Sequence, residues 1–263
     1  MLKFALARFK QGYRTSSFPK TAPVLPARFR GRPALDAKQC AADCSACATA
    51  CPTQAITAAP GELNVDLGRC LFCTECTTAC PTGAVRFTND YRLAAKSRDE
   101  LLVHDAIEAK GAALSETLRR MFGRSLKLRQ VSAGGCNACE ADFNVLNTLF
   151  FDLSRFGIQV VASPRHADGV LVTGPVTENM RYALLETYAA VPTPKIVIAT
   201  GACAISGGPY AGSPEAHNGV ASVLPVDLFI PGCPPHPLTI LEGLLAMLGR
   251  IERGPAAKVL SHP

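Results

Sequence analysis

The sequence predicts two architectures in tandem: a small α+β unit built on a duplicated cysteine run, then an α/β unit with a doubly wound parallel sheet. Three observations carry this expectation. Between Ala34 and about Asn89 the chain repeats itself, Cys51-Pro-Thr-Gln-Ala-Ile being answered by Cys80-Pro-Thr-Gly-Ala-Val. From Ser125 onward short apolar runs alternate with longer amphipathic ones, the pattern of strands each followed by a covering helix. The last four of twelve cysteines each follow one of those strands.

Taken in order, residues 1–33 read as a helix and an arm. Over 2–14, Leu2, Phe4, Ala5, Leu6 and Phe9 cluster while Lys3, Lys10 and Arg14 lie outside them, so a short amphipathic helix is expected. Its plain role is docking on a neighbouring protein, with a membrane surface as the alternative. Pro19, Pro23, Pro26 and Pro33 then forbid regular helix. Residues 34–90 hold the duplicated unit. Residues 91–124 read as a helical connector, with Leu93, Leu101, Leu102, Ile107, Leu114, Leu118 and Phe122 at helical intervals; His104 is expected on its surface rather than as a metal ligand. Residues 125–263 form the α/β domain. Strands are expected at 126–131, 157–162, 168–173, 195–200 and 226–230, and helices at 140–155, 177–190 and 237–252. Such alternation implies a flavodoxin-like sheet covered on both faces.

The cysteines define the chemistry. Eight lie in two runs, Cys40-x3-Cys44-x2-Cys47-x3-Cys51-Pro and Cys70-x2-Cys73-x2-Cys76-x3-Cys80-Pro. The N-terminal MLKFALARFKQGYRT leads into no apolar segment or cleavage site, so the thiols are expected in a reducing cytosol, which argues against disulfides. Zinc sites pair thiols across a loop, whereas each run here offers four close together and ends in Cys-Pro, the bacterial ferredoxin pattern. In that pattern the fourth cysteine serves the other run's cluster. One [4Fe–4S] cluster is then expected on Cys40, Cys44, Cys47 and Cys80, and a second on Cys51, Cys70, Cys73 and Cys76. The domain is thus ferredoxin-like, with Ile56, Val65, Leu71, Phe72, Val85 and Phe87 shielding the clusters. The first run departs from the standard spacing: Ala41 stands where the first thiol belongs and Cys40 lies one residue earlier. A bulged loop accommodates that shift, and a cluster with a weak corner is the alternative.

Cys136 and Cys139 in SAGGCNACE, Cys203 in TGACAISGG and Cys233 in IPGCPP all leave predicted strand ends. The carboxyl edge of an open α/β sheet is where ligands bind, so these four are expected to converge on a third cluster. Gly134, Gly135, Gly201, Gly207, Gly208 and Gly232 allow backbone N–H groups to face it. Glu140 is expected to cap the following helix, and His166 and His236 to orient loops, a part in proton movement being the alternative.

Composition excludes other classes. No apolar run approaches the ~20 residues of a bilayer span. The formal charge of +6 is offset by clusters carrying roughly −2 each. Basic residues near the N-terminus are scattered among prolines rather than interleaved with aromatics, so no nucleic acid is expected as a partner.

With these motifs in view, the chain resembles two subunits of one family of complexes joined in a single polypeptide. FRGRPALDAKQC through CPTGAVRFTNDYRLA resembles the two-cluster ferredoxin-like subunit of membrane-bound [NiFe] hydrogenases, formate hydrogenlyase and respiratory complex I. GCNACE, SPRHADGVLVTGPVTENM, GACAISGG and VDLFIPGCPPHP resemble their cluster-bearing small subunit. The complex I subunit has adjacent cysteines at the first motif, whereas Cys136 and Cys139 are separated here, as in the hydrogenases; TGPVT at 173–177 is also similar to the hydrogenase version. The resemblance implies that Cys136, Cys139, Cys203 and Cys233 hold the proximal cluster, next to an active site on a separate hydrogenase-type large subunit. It implies a further electron-input subunit, the membrane arm of a complex, and a peripheral place on the inner, cytoplasmic face of the cell membrane. The chain would be an electron-transfer subunit with no catalytic residue and no nickel site. Rival readings are a nickel-free or complex I-like oxidoreductase acting on a quinone or other acceptor, and a free soluble ferredoxin-type carrier.

Overall fold

The computed structural model describes residues 2–41, 43–104, 120–122 and 125–251. Helix α1 (Leu2–Gln11) buries none of its residues. It ends short of the expected residue 14, where the Gly12 N–H bonds back to the Arg8 carbonyl at 3.2 Å. The arm that follows crosses the molecule. Ser16 N–H donates to the Phe150 carbonyl at 2.8 Å, and Arg155 donates to the Ser16 and Phe18 carbonyls at 2.7 and 2.9 Å. Phe18 is buried, its ring edge-on to Tyr91. Farther along, Gly31 and Arg32 N–H groups donate to the Thr88 and Asp90 carbonyls at 2.7 and 2.8 Å.

The duplicated unit is built of short pieces. Strand β1 (Pro33–Leu35) pairs antiparallel with β4 (Val85–Phe87), and the hairpin β2 (Ile56–Ala59) and β3 (Glu62–Asp66) is joined by β5 (Leu102–Val103). Helices α2 (Ala46–Thr49) and α3 (Glu75–Ala79) pack together between the strand pairs, each with one buried cysteine, Cys47 and Cys76.

Over residues 91–103 the connector departs from the expected helix, while residues 120–122, with buried Phe122, are helical. Leu93 and Leu101 are buried, but the chain between them bends rather than winding into an α-helix. Ala95 exchanges backbone hydrogen bonds with Phe229, at 2.9 and 2.8 Å, on the edge of the second domain's sheet. A short 3-10 turn at Asp99–Leu101 leads into β5. An open strand edge offers unpaired N–H and C=O groups, and Ala95 satisfies them where a helix could not. His104 accordingly follows β5 rather than lying on a helix, its Nδ1 2.6 Å from Asn64 Oδ1. The expected helical positions Ile107, Leu114 and Leu118 lie outside the described residues.

Five strands form the second sheet: β6 (Leu126–Ser132), β7 (Ile158–Val160), β8 (Gly169–Thr173), β9 (Ile196–Thr200) and β10 (Leu228–Ile230). All pair in parallel, in the order β10-β9-β8-β6-β7. The helices are α4 (Ala138–Val145), α5 (Glu178–Ala190), α6 (Ala202–Ser206) and α7 (Pro237–Met247). Side chains alternate across the sheet. Ile196, Ile198, Leu228 and Ile230 join Phe143 of α4 and the apolar face of α7 in one core. Val197, Ala199 and Phe229 join Leu184 of α5 and Ala204 of α6 in the other. That second core continues without a break into Ile56, Leu63, Val65 and Val85 of the duplicated unit.

Helix α4 covers only the start of the expected 140–155. Beyond Val145 the backbone tightens to bonds three residues back, Leu146 to Phe143 and Asn147 to Asn144, and the Thr148 hydroxyl donates to the Val145 carbonyl at 2.7 Å. A threonine hydroxyl competes with the helical ladder in this way. Helix α7 ends at Met247, with Gly249 N–H bonding the Ala246 carbonyl; residue 252, its expected end, lies outside the described residues.

Phe18 ties the arm to the sheet domain, so Phe18→Ala is expected to destabilise the protein by about 3 kcal/mol and to speed proteolytic cleavage between residues 19 and 31. Thermal melting together with timed limited proteolysis checks both.

Candidate functional site

Thiols neighbour one another in three places: Cys40 and Cys80 near Cys47, Cys51, Cys73 and Cys76 near Cys70, and Cys136, Cys203 and Cys233 near Cys139. In the first, Cys40 closes the 3-10 turn Ala37–Gln39, and Cys44 follows in a turn whose N–H bonds the Ala41 carbonyl at 3.1 Å. Cys47 is buried in α2, and Cys80 ends α3. Burial pushes the Cys47 thiol up, and the nearby Cys80 and Cys40 add to the shift. Cys80 shifts the other way. Its partial burial raises it, but the Thr82 hydroxyl and the N–H groups of Val85, Thr82 and Ala84 together hold it below the usual thiol range. The Ala84 N–H lies 3.2 Å and the Thr82 hydroxyl 3.7 Å from Cys80 Sγ.

In the second group, Cys51, Cys70, Cys73 and Cys76 line one largely enclosed apolar hollow with Ile56, Val65, Leu71, Val85 and Phe87. Ala55 N–H donates to Cys51 Sγ at 3.2 Å and Phe72 N–H to Cys70 Sγ at 3.3 Å. The Cys51 and Cys80 environments repeat each other: in Cys-Pro-Thr-x-Ala the threonine hydroxyl approaches the sulfur and the alanine N–H donates to it. Burial drives the Cys70 thiol to about 12 against its Phe72 hydrogen bond, with Cys76, Cys51 and Cys73 raising it further. Cys51 thus neighbours the second run's thiols, while Cys80 neighbours Cys47 of the first.

The third group gathers at the carboxyl ends of β6, β9 and β10. Cys136 and Cys139 flank the start of α4, Cys203 lies in α6, and Cys233 follows β10. Burial pushes Cys139 far up, aided by Glu140, Cys203, Cys233 and Cys136. Burial, with Cys233 and Cys136, lifts Cys203 to about 11. Cys136 and Cys233 are exposed. Beyond burial and Cys136, Cys233 also feels Cys73 of the second group.

The local backbone fits a bulky group among these sulfurs. Gly201 has φ of 92°, and a Cβ there would stand 2.5 Å from Cys139 Sγ; the absent side chain is the room in which that sulfur sits. The Thr200 hydroxyl is buried with no partner among the described residues. Thiol groups with N–H donors aimed at sulfur and apolar walls are the donor set of [4Fe–4S] clusters.

The remaining expected residues separate. Glu140 lies buried in the first turn of α4 and accepts from the Thr173 hydroxyl at 2.6 Å. His236 caps α7, its Nδ1 accepting the Leu238 N–H at 3.1 Å, and burial lowers its pKa. His166 is exposed in a 3-10 turn away from the thiols. Thr53 and Thr82 were overlooked by sequence reasoning, although the repeated Cys-Pro-Thr was their signal.

A twin-run thiol unit packed on a parallel sheet with four further thiols at its strand ends defines an iron–sulfur protein. Comparison with known proteins makes this specific. Residues 35–84 match the model of the 4Fe-4S dicluster domain, and residues 136–247 that of the NADH ubiquinone oxidoreductase, 20 Kd subunit. Formate hydrogenlyase subunit 7 of Escherichia coli is 39% identical over 161 residues, 61% of this chain and 63% of that protein. The probable membrane-bound hydrogenase subunit mbhJ of Pyrococcus furiosus is 41% identical over 136 residues, 52% of this chain and 81% of that protein. An NADH-quinone oxidoreductase subunit of Bacteroides thetaiotaomicron is 41% identical over 133 residues, 50% of this chain and 66% of that protein. The chain thus spans under two thirds of the formate hydrogenlyase subunit's length. It belongs to the 20 Kd subunit family, and it carries in the same polypeptide a 4Fe-4S dicluster domain.

Because a Cβ at position 201 meets Cys139 Sγ, Gly201→Ala is expected to lower the iron content of the protein without disturbing the two-run unit. Iron analysis and low-temperature EPR of the purified variant check this.

Proposed function

We propose that the twelve cysteines hold three [4Fe–4S] clusters in a row and that the chain conducts electrons to or from a hydrogenase-type large subunit of a membrane-bound complex. The ligand sets are Cys40, Cys44, Cys47 and Cys80; Cys51, Cys70, Cys73 and Cys76; and Cys136, Cys139, Cys203 and Cys233. The observation that carries this reading is the nearness of Cys73 and Cys233, which makes neighbours of groups held by different halves of the chain. Bound there, the clusters supply reversible one-electron storage. The residues do the rest. Ala55, Phe72 and Ala84 aim N–H groups at sulfur, which favours the charged thiolate. Ile56, Val65 and Phe87 exclude water from the middle group.

The division into an arm (1–33), a two-cluster domain (34–90), a connector (91–124) and an α/β domain (125–263) is kept. Counted along the chain, the five parallel strands take the order 2-1-3-4-5, which supports the flavodoxin-like assignment. Among the described residues no helix is long and apolar enough to cross a membrane, consistent with a peripheral place on the inner face through other subunits. Exposed Cys136 and Cys233 favour a fixed partner over a free carrier, since a partner's surface would dry that side. The partners proposed are the large subunit, an electron-input subunit and a membrane arm. A quinone-reducing complex is the second reading, favoured by the 41% identity to the NADH-quinone oxidoreductase relative; the separated Cys136 and Cys139 weigh against it.

Anaerobic purification of the native complex through a tag on this chain tests the proposal. About twelve irons in this chain, with nickel in the complex and hydrogen-driven dye reduction, are the expected result; the same iron without nickel or activity moves the terminus to another acceptor. Cys40→Ser is expected to cost iron from the first group alone, and an unchanged first-cluster EPR signal would remove Cys40 from its ligands.

A further inference from the structure

A cavity of about 550 Å³ lies between the two halves, with Cys73 on one wall and Cys233 on the other. The Pro-rich arm forms part of its lining. Phe29, turned by its N–H bond to the Pro26 carbonyl at 2.9 Å, sets its ring edge-on to His236, with centroids 5.2 Å apart at 88°. The next residue reaches the opposite wall: Arg30 Nη1 donates to the Phe72 carbonyl at 2.8 Å.

Both contacts fall where movement of a thiol would begin. Phe72 immediately precedes Cys73 and has φ of 55°, a conformation an aromatic residue rarely holds unaided. Its N–H is committed to Cys70 Sγ, and its carbonyl is what Arg30 grips. His236 belongs to the Cys233-Pro-Pro-His loop and is fixed on its far side by capping α7. Burial favours its neutral form, so the ring packs against Phe29 without carrying charge into the cavity. Adjacent residues of one arm therefore touch the Cys73 loop and the Cys233 loop at once. The arm is itself pinned at both ends, by Ser16 and Phe18 on the sheet domain and by Gly31 and Arg32 on the two-cluster domain.

Resting on the three-cluster reading, we propose that Phe29 and Arg30 are positioning residues that clamp the Cys73 and Cys233 loops at a fixed separation and so set the electron step between the second and third clusters. That step moves one electron from the group held by Cys73 to the group held by Cys233, or back, with no bond made or broken. The clamp touches neither group; it acts through Phe72 and His236. Its role is internal to this chain, a strap across two domains.

The test compares the native complex carrying Phe29→Ala, Arg30→Ala, Arg30→Lys or no change. Iron content, EPR of the fully reduced clusters and freeze-quench kinetics of their reduction are measured. Unchanged iron and unchanged individual g-values are expected for each variant. The dipolar splitting between second and third clusters should broaden or vanish in Phe29→Ala and Arg30→Ala, and electrons should reach the third cluster more slowly. Arg30→Lys, which keeps a donor, should restore part of both. Unchanged splitting and kinetics in both alanine variants overturn the clamp. So does loss of iron from the second group, which would make the arm a wall of that site only. Fewer than three clusters in the unchanged protein overturns the reading beneath, and the iron count alone identifies that case.

Discussion

One apolar core runs through both halves of the chain, and the spacing of the second and third thiol groups depends on it. Val65 and Val85 of the two-cluster unit share it with Val197, Ala204 and Phe229 of the sheet domain. Interiors are packed close to crystal density and resist sliding. Polar contacts then fix the register of the halves. The Ser206 hydroxyl of α6 donates to the Gly68 carbonyl at 2.9 Å, tying the Cys203 helix to the loop that leads into Cys70. Arg98 forms a two-pronged ion pair with Asp66 at the end of β3, just before that loop, one contact being 2.6 Å. Ala95 closes the sheet edge on Phe229. A flexible tether would raise only the local concentration of one half about the other; a shared core fixes geometry.

Sulfur chemistry imposes the second constraint. Ligation requires thiolates, and buried thiolates are costly. Burial favours the protonated thiol at Cys70, Cys139 and Cys203. Under the proposed ligation, loading a cluster displaces those protons, so folding, burial and iron binding are linked. Cys80 shifts the other way because two-residue and four-residue returns of its own chain bring the Thr82 hydroxyl and Ala84 N–H to its sulfur. The same local geometry recurs at Cys51, so the duplication copies a hydrogen-bonded sulfur environment as well as a spacing.

Much of this was legible in the sequence because the relevant signals are local. Strands β8 and β9 are buried on both faces and read as unbroken apolar runs. Duplication marked the crossed neighbourhoods of Cys51, near Cys70, and Cys80, near Cys47. What failed was decided at a distance. The leucines of the connector have a helical period, yet Ala95 pairs with a strand edge that Phe229 supplies from far down the chain. Helix α4 was overextended because its apolar stripe continues past Thr148, whose backbone competition period alone does not weigh. Phe29 and Arg30 open the FRGRP stretch that carries part of the resemblance, but nothing in that stretch points to Phe72 and His236, which lie far along the chain.

Exposure is uneven along the proposed wire, and that gives it a direction in space. The second group holds two buried thiols, Cys70 and Cys76, and sits under an apolar roof; the third holds two exposed ones, Cys136 and Cys233. A charge on the middle group is poorly screened and costs more than one at an open edge. Lowering that cost requires either N–H donors at sulfur, which Phe72 and Ala55 supply, or a short residence there. The open edge has the opposite need: water at Cys136 and Cys233 would stabilise charge but leave the sulfurs unprotected. A second protein laid over the carboxyl ends of β6 and β10 would meet both demands, because it can exclude water and present its own dipoles in water's place. On the proposed reading, the sheet ends in a site that an assembly would complete, whereas the middle site would be enclosed by this chain alone.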